Sequence, residues 1–367
     1  MDALHLQKVN VLNSDPLGAR SVFVKSSKRE FVTPQRALTS TESNHRTNIM
    51  TFIPFAEAFE NPVFELIGHF NENEVHELWH RNGIFDARMR AYRSHSRRYS
   101  EMITKFFPRI VARRPLTESD IRALVDLQLR SEFDIIAIPD PSVNGSMKQF
   151  ERNLDVFTEY VRKVGSEPMP YVDMSNDNDI FRKKITRVSV TSDVKCLGLV
   201  FRSHSQFYPN FVAISEIAER DLWIHASNVP RMLSKSIPLA QAHLPQAYSI
   251  DSLALESAKV AAPLKVKPLA RIRKFVHTTL GQTRLDDIKE RREEDSACAC
   301  EACQELQKKG DLNSEDPRKV DMSFKVHETF SSTREFTNSR DSIRNSDFKT
   351  YVKSRKYLNL SLPASTA

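Results

Sequence analysis

Phe133-Asp134-Ile135-Ile136-Ala137-Ile138-Pro139-Asp140-Pro141 is the stretch that most directly indicates the fold of this 367-residue chain. Its apolar centre is short and rich in isoleucine, and it ends at a carboxylate followed by proline, which predicts a buried strand. A helix is predicted on each side, over residues 115–129 with Thr117 as its N-cap and over residues 148–164. A buried strand between two helices is typical of a parallel sheet covered by helices.

The alternation of strand and helix recurs along most of the chain. Eight strands are predicted, one over residues 35–39 and seven centred on Val63, Ile84, Ile135, Tyr171, Leu197, Trp223 and Tyr248. Eight such units predict an α/β fold, a (β/α)8 TIM-type barrel, with a doubly wound sheet as the alternative architecture. No glycine-rich phosphate loop follows any of these strands, so no nucleotide cofactor is predicted.

The cysteines are concentrated in one short segment. Three of the four lie in Cys298-Ala299-Cys300-Glu301-Ala302-Cys303, and His327 follows 24 residues later. Ordinary reduced cysteines are the alternative interpretation, but free cysteine is usually buried singly, and disulfides between such close residues would be strained. Three thiolates and one imidazole complete the tetrahedron that zinc prefers, and four protein ligands leave no position open for a reacting water. The segment therefore predicts a structural metal site.

The composition fits a globular protein with a polyanionic partner. The formal net charge is +7, 40% of the residues are hydrophobic and only 8 are glycine. No run is long enough for a transmembrane helix and the N-terminus lacks the pattern of a signal peptide, so a cytoplasmic protein is predicted. Four parts are predicted: an N-terminal segment over residues 1–20, the barrel over 21–290, a zinc-binding segment over 291–330 and a weakly packed basic Ser/Thr-rich tail over 331–367. In the tail, Tyr351-Val352 and Tyr357-Leu358 could still dock a short helix.

Carboxylates stand at the carboxyl ends of three predicted strands, as Asp86, Asp140 and Asp251. Each alone has an ordinary interpretation, because Asp251-Ser252 can cap a helix and Asp140-Pro141 can form a turn. Three carboxylates at one end of a barrel favour a functional site, because inward-facing polar groups converge there. A buried carboxylate can attack an electrophilic carbon, transfer a proton or accept hydrogen bonds from a heterocycle.

A basic stretch rich in aromatic residues runs from Arg88 to Arg109. Its arginines could follow a phosphate backbone while Tyr92 or Tyr99 stacks on a base. A solvated helix face with aromatic residues in the core is the alternative interpretation.

The order of these features resembles the guanine transglycosylases, a family that exchanges a guanine in nucleic acid for a 7-deazaguanine base. The most specific match is Ile250-Asp251-Ser252 followed by Cys-x-Cys-x-x-Cys and the later histidine. Other segments match in the same order, namely residues 29–42 with Thr33-Pro34, residues 116–140, Leu197-Gly198-Leu199 and residues 223–230. The resemblance covers most of residues 21–330 and implies a barrel with a C-terminal zinc-binding subdomain.

The resemblance implies a role for each matching residue. Asp251 would attack the ribose C1′ and displace guanine, and Asp86 would transfer protons. Asp140 would hydrogen-bond the edge of the base, with Gly198 and Leu199 packed beside it. The ligands of a structural Zn²⁺ would be Cys298, Cys300, Cys303 and His327.

The chain departs from the family where the base binds. Asp86-Ala87-Arg88-Met89 stands where the family has Asp-Ser-Gly-Gly, Val172-Asp173-Met174 where it has Gln-Gly-Gly, and Leu197 where it has a glycine. Glycines there let the backbone approach a flat base, and Arg88 or Arg90 could fill the pocket instead. The departures favour the divergent branch of phages and bacterial modification clusters, which inserts deazapurines such as 7-cyano-7-deazaguanine into DNA.

The expected partner is therefore DNA rather than tRNA, in the cytoplasm of a bacterial or phage-infected cell. The resemblance also implies a tendency to dimerise, and no membrane contact is expected. Three alternatives remain: a tRNA-guanine transglycosylase, a non-catalytic zinc-binding partner subunit of such an enzyme, and a zinc-stabilised nucleic-acid-binding protein without a pocket.

Overall fold

The N-terminal residues form a three-stranded antiparallel sheet of β1 (Leu6–Ser14), β2 (Arg20–Ser26) and β3 (Glu30–Val32). The computed structural model of the protein describes residues 6–16, 18–40, 42, 62–80, 82–111, 114–141, 146–204, 206–230, 243–256, 269, 272–276, 280–284, 298, 300–312, 314–355, 358–359 and 362. The predicted boundary between residues 20 and 21 cuts through the β1–β2 hairpin, in which Ser14 pairs with Arg20. The N-terminal strand is therefore part of the folded unit.

A parallel sheet of nine short strands follows. The strands are β4 (Gln35–Arg36), β5 (Leu38–Thr39), β6 (Val63–Asn71), β7 (Ile103–Val111), β8 (Ile135–Ile138), β9 (Glu167–Asp173), β10 (Cys196–Val200), β11 (Trp223–Val229) and β12 (Ser252–Leu255). β4 and β5 are one extended segment interrupted at Ala37, whose N–H donates to Leu253 O at 2.8 Å. Because β4 pairs with β12 and β5 pairs with β6, the sheet closes on itself.

Helices cover the outside of this barrel. They are α1 (Glu72–His80), α2 (Asn82–Arg98), α3 (Glu118–Arg130), α4 (Met147–Lys163), α5 (Asn178–Ser189) and α6 (Tyr208–Ser215). The predicted cap of α3 is confirmed, because Thr117 and Asp120 form a reciprocal capping box. Eight strand positions with helices outside confirm the TIM-type barrel, and the doubly wound sheet is wrong.

Two predicted strands are misplaced. The run centred on Ile84 belongs to α2, and the strand after β6 is instead β7, within the stretch predicted to follow phosphates. The last strand begins at Ser252, and Leu244–Tyr248 before it is a 3₁₀ helix. The number of strands was predicted correctly, but the third and the last were assigned to the wrong residues.

The C-terminal part consists of a hairpin, β13 (Arg273–Val276) and β14 (Gly281–Arg284), and three helices, α7 (Glu301–Lys308), α8 (Pro317–Arg344) and α9 (Phe348–Lys353). Phe336 and Ile343 of α8 are each 1% exposed and pack in the same core cluster as Leu253 and Leu255 of the barrel. The prediction of a weakly packed tail is therefore wrong for residues 331–353. No helix among the described residues is long and apolar enough to cross a membrane.

Candidate functional site

The predicted metal ligands converge in the structure. The sulfur atoms of Cys298, Cys300 and Cys303 and a ring nitrogen of His327 all lie within 4.8 Å of one another. The Cys300 and Cys303 sulfurs are 3.3 and 3.2 Å from His327 Nδ1. Tetrahedral zinc places its sulfur ligands about 3.8 Å apart. The described residues thus bring a complete Cys3His donor set together without any other chain.

Two elements hold this donor set in position. Cys300 is the N-cap residue of α7, and its sulfur accepts from the Cys303 N–H at 3.4 Å. His327 lies in α8 with no exposed surface, and its Nε2 donates to Phe275 O of β13 at 3.0 Å. That bond makes Nε2 the protonated nitrogen and directs the lone pair of Nδ1 to the side of the sulfurs, where Ser331 Oγ also lies 3.3 Å from it. An outer partner orients a metal-binding imidazole in the same way.

The electrostatics of the cluster also fit a cation. The pKa of Cys303 is raised by hydrogen bonds with the Cys298 and Cys300 thiols and by burial. Three thiolates so close together require a cation to compensate their charge. Cys196 is not part of this group, because it is buried in the barrel with its sulfur 3.2 Å from Pro168 O. The donor set fits zinc in a structural role.

Three ion pairs surround the carboxyl end of the barrel, which we call the mouth. Arg109 and Glu256 are 2.9 Å apart and connect β7 with the end of β12, which are not neighbours in the sheet. The other two pairs are Lys184–Asp140 at 2.8 Å and Arg202–Asp173 at 2.6 Å. Side chains from five strand ends, those of β7, β8, β9, β10 and β12, therefore lie at the face where barrel enzymes carry out their chemistry.

Asp140 follows β8 at the mouth, as predicted. Both of its carboxylate oxygens accept from Lys184 Nζ, at 2.8 and 2.9 Å, and Asn176 Nδ2 donates to it at 3.2 Å. Burial raises the pKa of Asp140, and Lys184 opposes that rise. Its side chain is only 4% exposed. A base could hydrogen-bond this carboxylate only after Lys184 had moved.

Asp251 lies at the opposite end of the barrel from the prediction. It precedes β12, and its N–H donates to Ile224 O near the amino end of β11. Arg20 binds both carboxylate oxygens, with Nε at 3.0 Å and Nη2 at 2.6 Å, and neither side chain is exposed. Burial raises the pKa of Asp251 and Arg20 opposes the rise. The geometry defines a structural ion pair, so the nucleophile prediction is wrong in its placement.

Asp86 is also not at a strand end. It lies in α2, in the outer layer of helices, with its side chain partly buried. The prediction that Asp86 stands at the carboxyl end of a strand is therefore wrong.

The predicted base-packing residues are occupied by other contacts. Gly198 faces the barrel interior, where a Cβ added to it would lie 2.5 Å from the Tyr171 ring. The ring of Tyr171 thus takes the space that the resemblance assigns to a base. Leu199 points the other way and packs in the outer core against the helices.

A polar cluster that sequence reasoning missed fills the centre of the barrel. Lys105 Nζ binds Glu65 Oε2 and lies 2.7 Å from Tyr171 Oη, while His225 Nε2 donates to Glu65 at 3.0 Å. Ser227 Oγ donates to the same oxygen at 2.7 Å. All five side chains are at most 1% exposed. The sequence signal for this cluster is one charged residue at an inward-facing position in each of two apolar strands, Glu65 in β6 and Lys105 in β7.

Electrostatics fix the charges in this cluster. Burial alone would raise the pKa of Glu65, but Lys105 and His225 lower it to about 2. Burial and Lys105 lower the pKa of His225 to about 4. Glu65 is therefore ionised and His225 neutral at pH 7. A filled, internally paired barrel centre leaves the mouth as the candidate site.

The basic aromatic stretch does not present its rings to a ligand. Tyr99 stacks on Phe64 with ring centroids 4.0 Å apart, and Tyr92 packs against Phe106 at 5.1 Å. Two of its arginines are paired, Arg88 with Glu74 at 2.9 Å and Arg97 with Glu132 at 2.7 Å. For these rings the alternative interpretation, core aromatics beside a solvated helix face, is confirmed.

Comparisons with known proteins add no family. No family model matches, and no curated protein matches the sequence. Among solved structures, tryptophan synthase subunit alpha from Legionella pneumophila aligns with a TM-score of 0.38 and 8% identity over 82% of this chain and 92% of that chain. A protein described as a fructose-1,6-biphosphate aldolase from Coccidioides immitis gives 0.38 and 10%, over 83% of this chain and 92% of its own. Likeness at this level assigns no function.

Proposed function

We propose that the protein exchanges a guanine in nucleic acid for a 7-deazaguanine, with DNA as the favoured substrate. The observation that carries the proposal is the convergence of Cys298, Cys300, Cys303 and His327 directly after the barrel. Their spacing is the most specific element of the resemblance to guanine transglycosylases. Zn²⁺ bound there would hold α7 and α8 together and would take no part in the chemistry.

The mouth supplies groups that suit a guanine. The guanine edge offers N–H donors at N1 and N2 and acceptors at O6 and N7. Asp173 can accept from the donors, and Arg202, which is 41% exposed, can donate to the acceptors. An ion pair at 2.6 Å presents both kinds of group side by side. This pair is more accessible than Asp140, which Lys184 holds.

Glu256 is the carboxylate that we assign to nucleophilic attack. It is 40% exposed, directly follows the eighth strand of the barrel and is oriented across the mouth by Arg109. Its carboxylate would bond to C1′ while the bond from C1′ to guanine N9 breaks, and the departing base would take up a proton from solvent. The incoming deazapurine would then release its N9 proton to solvent and bond to C1′ through N9 while the bond from C1′ to Glu256 breaks, which restores the free carboxylate.

The second candidate is a non-catalytic partner subunit of such an enzyme. It is favoured by the side chains of β12 that face the barrel interior, Ser252 and Ala254, neither of which is a carboxylate. The Tyr171 ring against Gly198 favours it as well. Such a subunit would bind nucleic acid and zinc without exchanging bases.

Labelled guanine, and separately labelled 7-cyano-7-deazaguanine, incubated with the purified protein and duplex DNA or bulk tRNA tests the proposal. We expect label in DNA, and we expect Glu256→Gln to abolish it while leaving thermal stability unchanged. Asp251→Asn serves as the matched control, because it should lower the melting temperature yet retain exchange per folded molecule.

Label in tRNA rather than in DNA would mean that the substrate is tRNA and that the proposed base exchange is retained. Absence of label with either base, together with intact DNA binding, would favour the partner subunit. A folded Asp251→Asn protein without exchange, beside an active Glu256→Gln protein, would contradict the assignment of the nucleophile.

A further inference from the structure

A cavity of about 290 Å³ lies between α7 and the first turns of α8. Its lining residues are Leu306, Asp311, Arg318, Lys319, Met322, Ser323 and Val326. None of these residues belongs to the barrel strands or to the ion pairs at their ends, so the cavity is separate from the mouth. The volume lies at the lower limit of small-molecule sites, about 300 Å³. The cavity therefore has room for one flat ring system.

The floor of the cavity is apolar and belongs to the metal-binding part. Leu306 and Val326 are 2% and 1% exposed and pack with Ala302 and Phe330 in one hydrophobic cluster. Val326 directly precedes the metal ligand His327. Met322, which completes the floor, is only partly buried and has a side chain that adapts to flat surfaces. The shape of the floor thus depends on the packing of α7 against α8.

The rim of the cavity carries two cations, Arg318 and Lys319, and one partly buried carboxylate, Asp311. Arg318 and Lys319 lie in the first turn of α8 and are exposed, and neither has an ion-pair partner among the residues that the structure describes. Most of the arginines on the barrel surface, such as Arg97 and Arg187, are paired with carboxylates. Two adjacent cations above an apolar floor match a ligand that has both a flat apolar ring and negative charge.

We propose that this cavity binds one unstacked base of a single-stranded nucleic acid, whose flanking phosphates contact Arg318 and Lys319. The proposal rests on the proposed function for its choice of partner, and it adds a second contact point away from the mouth. The net charge of +7 is consistent with a polyanion. An acidic peptide has the charge but lacks a flat ring on every residue, so nucleic acid fits the apolar floor better.

Fluorescence anisotropy of the zinc-loaded full chain with a labelled oligothymidine tests the proposal. The double variant Arg318→Glu/Lys319→Glu should bind about tenfold more weakly and reduce the slope of log K against log salt by about 1.4, since each of two phosphate contacts to a single strand contributes about 0.7. The matched control is Arg152→Glu/Lys163→Glu on α4, which makes the same change in charge at side chains that are each 71% exposed. It should bind as the wild type does. Equal losses in the two double variants would overturn the site.

A second comparison separates the base from the phosphates. An oligonucleotide with abasic positions should bind the wild type several-fold more weakly, and Met322→Asp should remove that preference. Equal binding of abasic and normal strands by the wild type would overturn the proposal, as would competition by an acidic peptide as strong as that by the oligonucleotide.

These binding results do not depend on base exchange. Loss of binding in the Arg318/Lys319 variant, in a protein that shows no exchange, would refute the proposed reaction and support the cavity. Base exchange by the wild type, together with unchanged binding by the Arg318/Lys319 variant, would support the proposed reaction and refute the cavity.

Discussion

At the scale of single residues, Glu167 shows how burial sets the charge of a carboxyl group. It lies at the amino end of β9, where its Oε2 accepts from Leu6 N at 3.3 Å and its Oε1 from Arg162 at 3.2 Å. Burial raises its pKa to about 7, although Arg162 and the Leu6 N–H act in the opposite direction. The folded state therefore binds a proton that the unfolded chain releases at pH 4.5 and above.

This difference gives a stability that depends on pH. Because the folded pKa is the higher one, the contribution of Glu167 is fully present below pH 4.5 and is lost as pH rises through about 7. The free energy of unfolding of the wild type, relative to Glu167→Gln, should fall between pH 5 and pH 8, by roughly 3 kcal/mol at most. Urea unfolding across that range measures it.

The exposed Glu159, which pairs with Lys163 on α4, supplies a matched control. Glu159→Gln should keep a nearly constant difference from the wild type over the same pH range. If the Glu167→Gln curve also stayed parallel to that of the wild type, the raised pKa would be wrong.

At the scale of elements, α8 connects the metal cluster to the barrel. His327, in its amino-terminal half, belongs to the Cys3His donor set, while Phe336 and Ile343 pack in the core beside strands of the barrel. The helix lies against β4, β13, β1 and β2. A single helix of 28 residues thus covers the closing strand of the barrel and carries one residue of the donor set.

Removal of the Phe336 side chain tests the contribution of this helix. Phe336→Ala should lower the free energy of unfolding by about 3–5 kcal/mol, because a buried aromatic ring leaves a cavity. Arg334→Ala is the matched control two residues away, since Arg334 is exposed and pairs with Glu301 on the surface. It should cost less than about 1 kcal/mol. Equal and small effects would mean that residues 331–344 contribute little to the core.

The elements also show what could be predicted from sequence and why the rest could not. Strands such as Ile135–Ile138 are short apolar runs between helical patterns, and these were predicted correctly. Ile103–Val111 was missed because Lys105 and Arg109 interrupt its apolar pattern, and Glu65 and Glu256 compensate those charges only in three dimensions. Likewise, the sequence around Asp251 does not show whether this residue precedes a strand or ends one. Its partner Arg20 is remote in the chain, so nothing local revealed the ion pair.

At the scale of the whole molecule, metal binding and barrel stability should be coupled, because α8 belongs to both. Chelation of zinc should lower the urea midpoint of the barrel as well as that of the C-terminal helices. Trp223 reports on the barrel, since it is buried in its interior, while Trp79 is 47% exposed and can be replaced by phenylalanine. Fluorescence of the Trp79→Phe protein, with and without chelator, makes the measurement.

Cysteine variants provide the control for that coupling. Cys300→Ser should reduce the zinc content and shift the Trp223 transition, whereas Cys196→Ala should keep one zinc per chain, because its sulfur lies in the barrel. An unchanged Trp223 transition after complete loss of zinc would contradict the coupling.

The way in which the barrel closes has a consequence for synthesis on the ribosome. Gln35–Arg36 emerges early but pairs with Ser252–Leu255, and among the described residues α8 covers the outer face of that seam. The nascent chain therefore carries an open sheet edge and exposed apolar side chains until these segments have been made. The barrel can close only after residues 317–344 have left the exit tunnel, so this chain should depend on chaperones that hold the growing polypeptide until then.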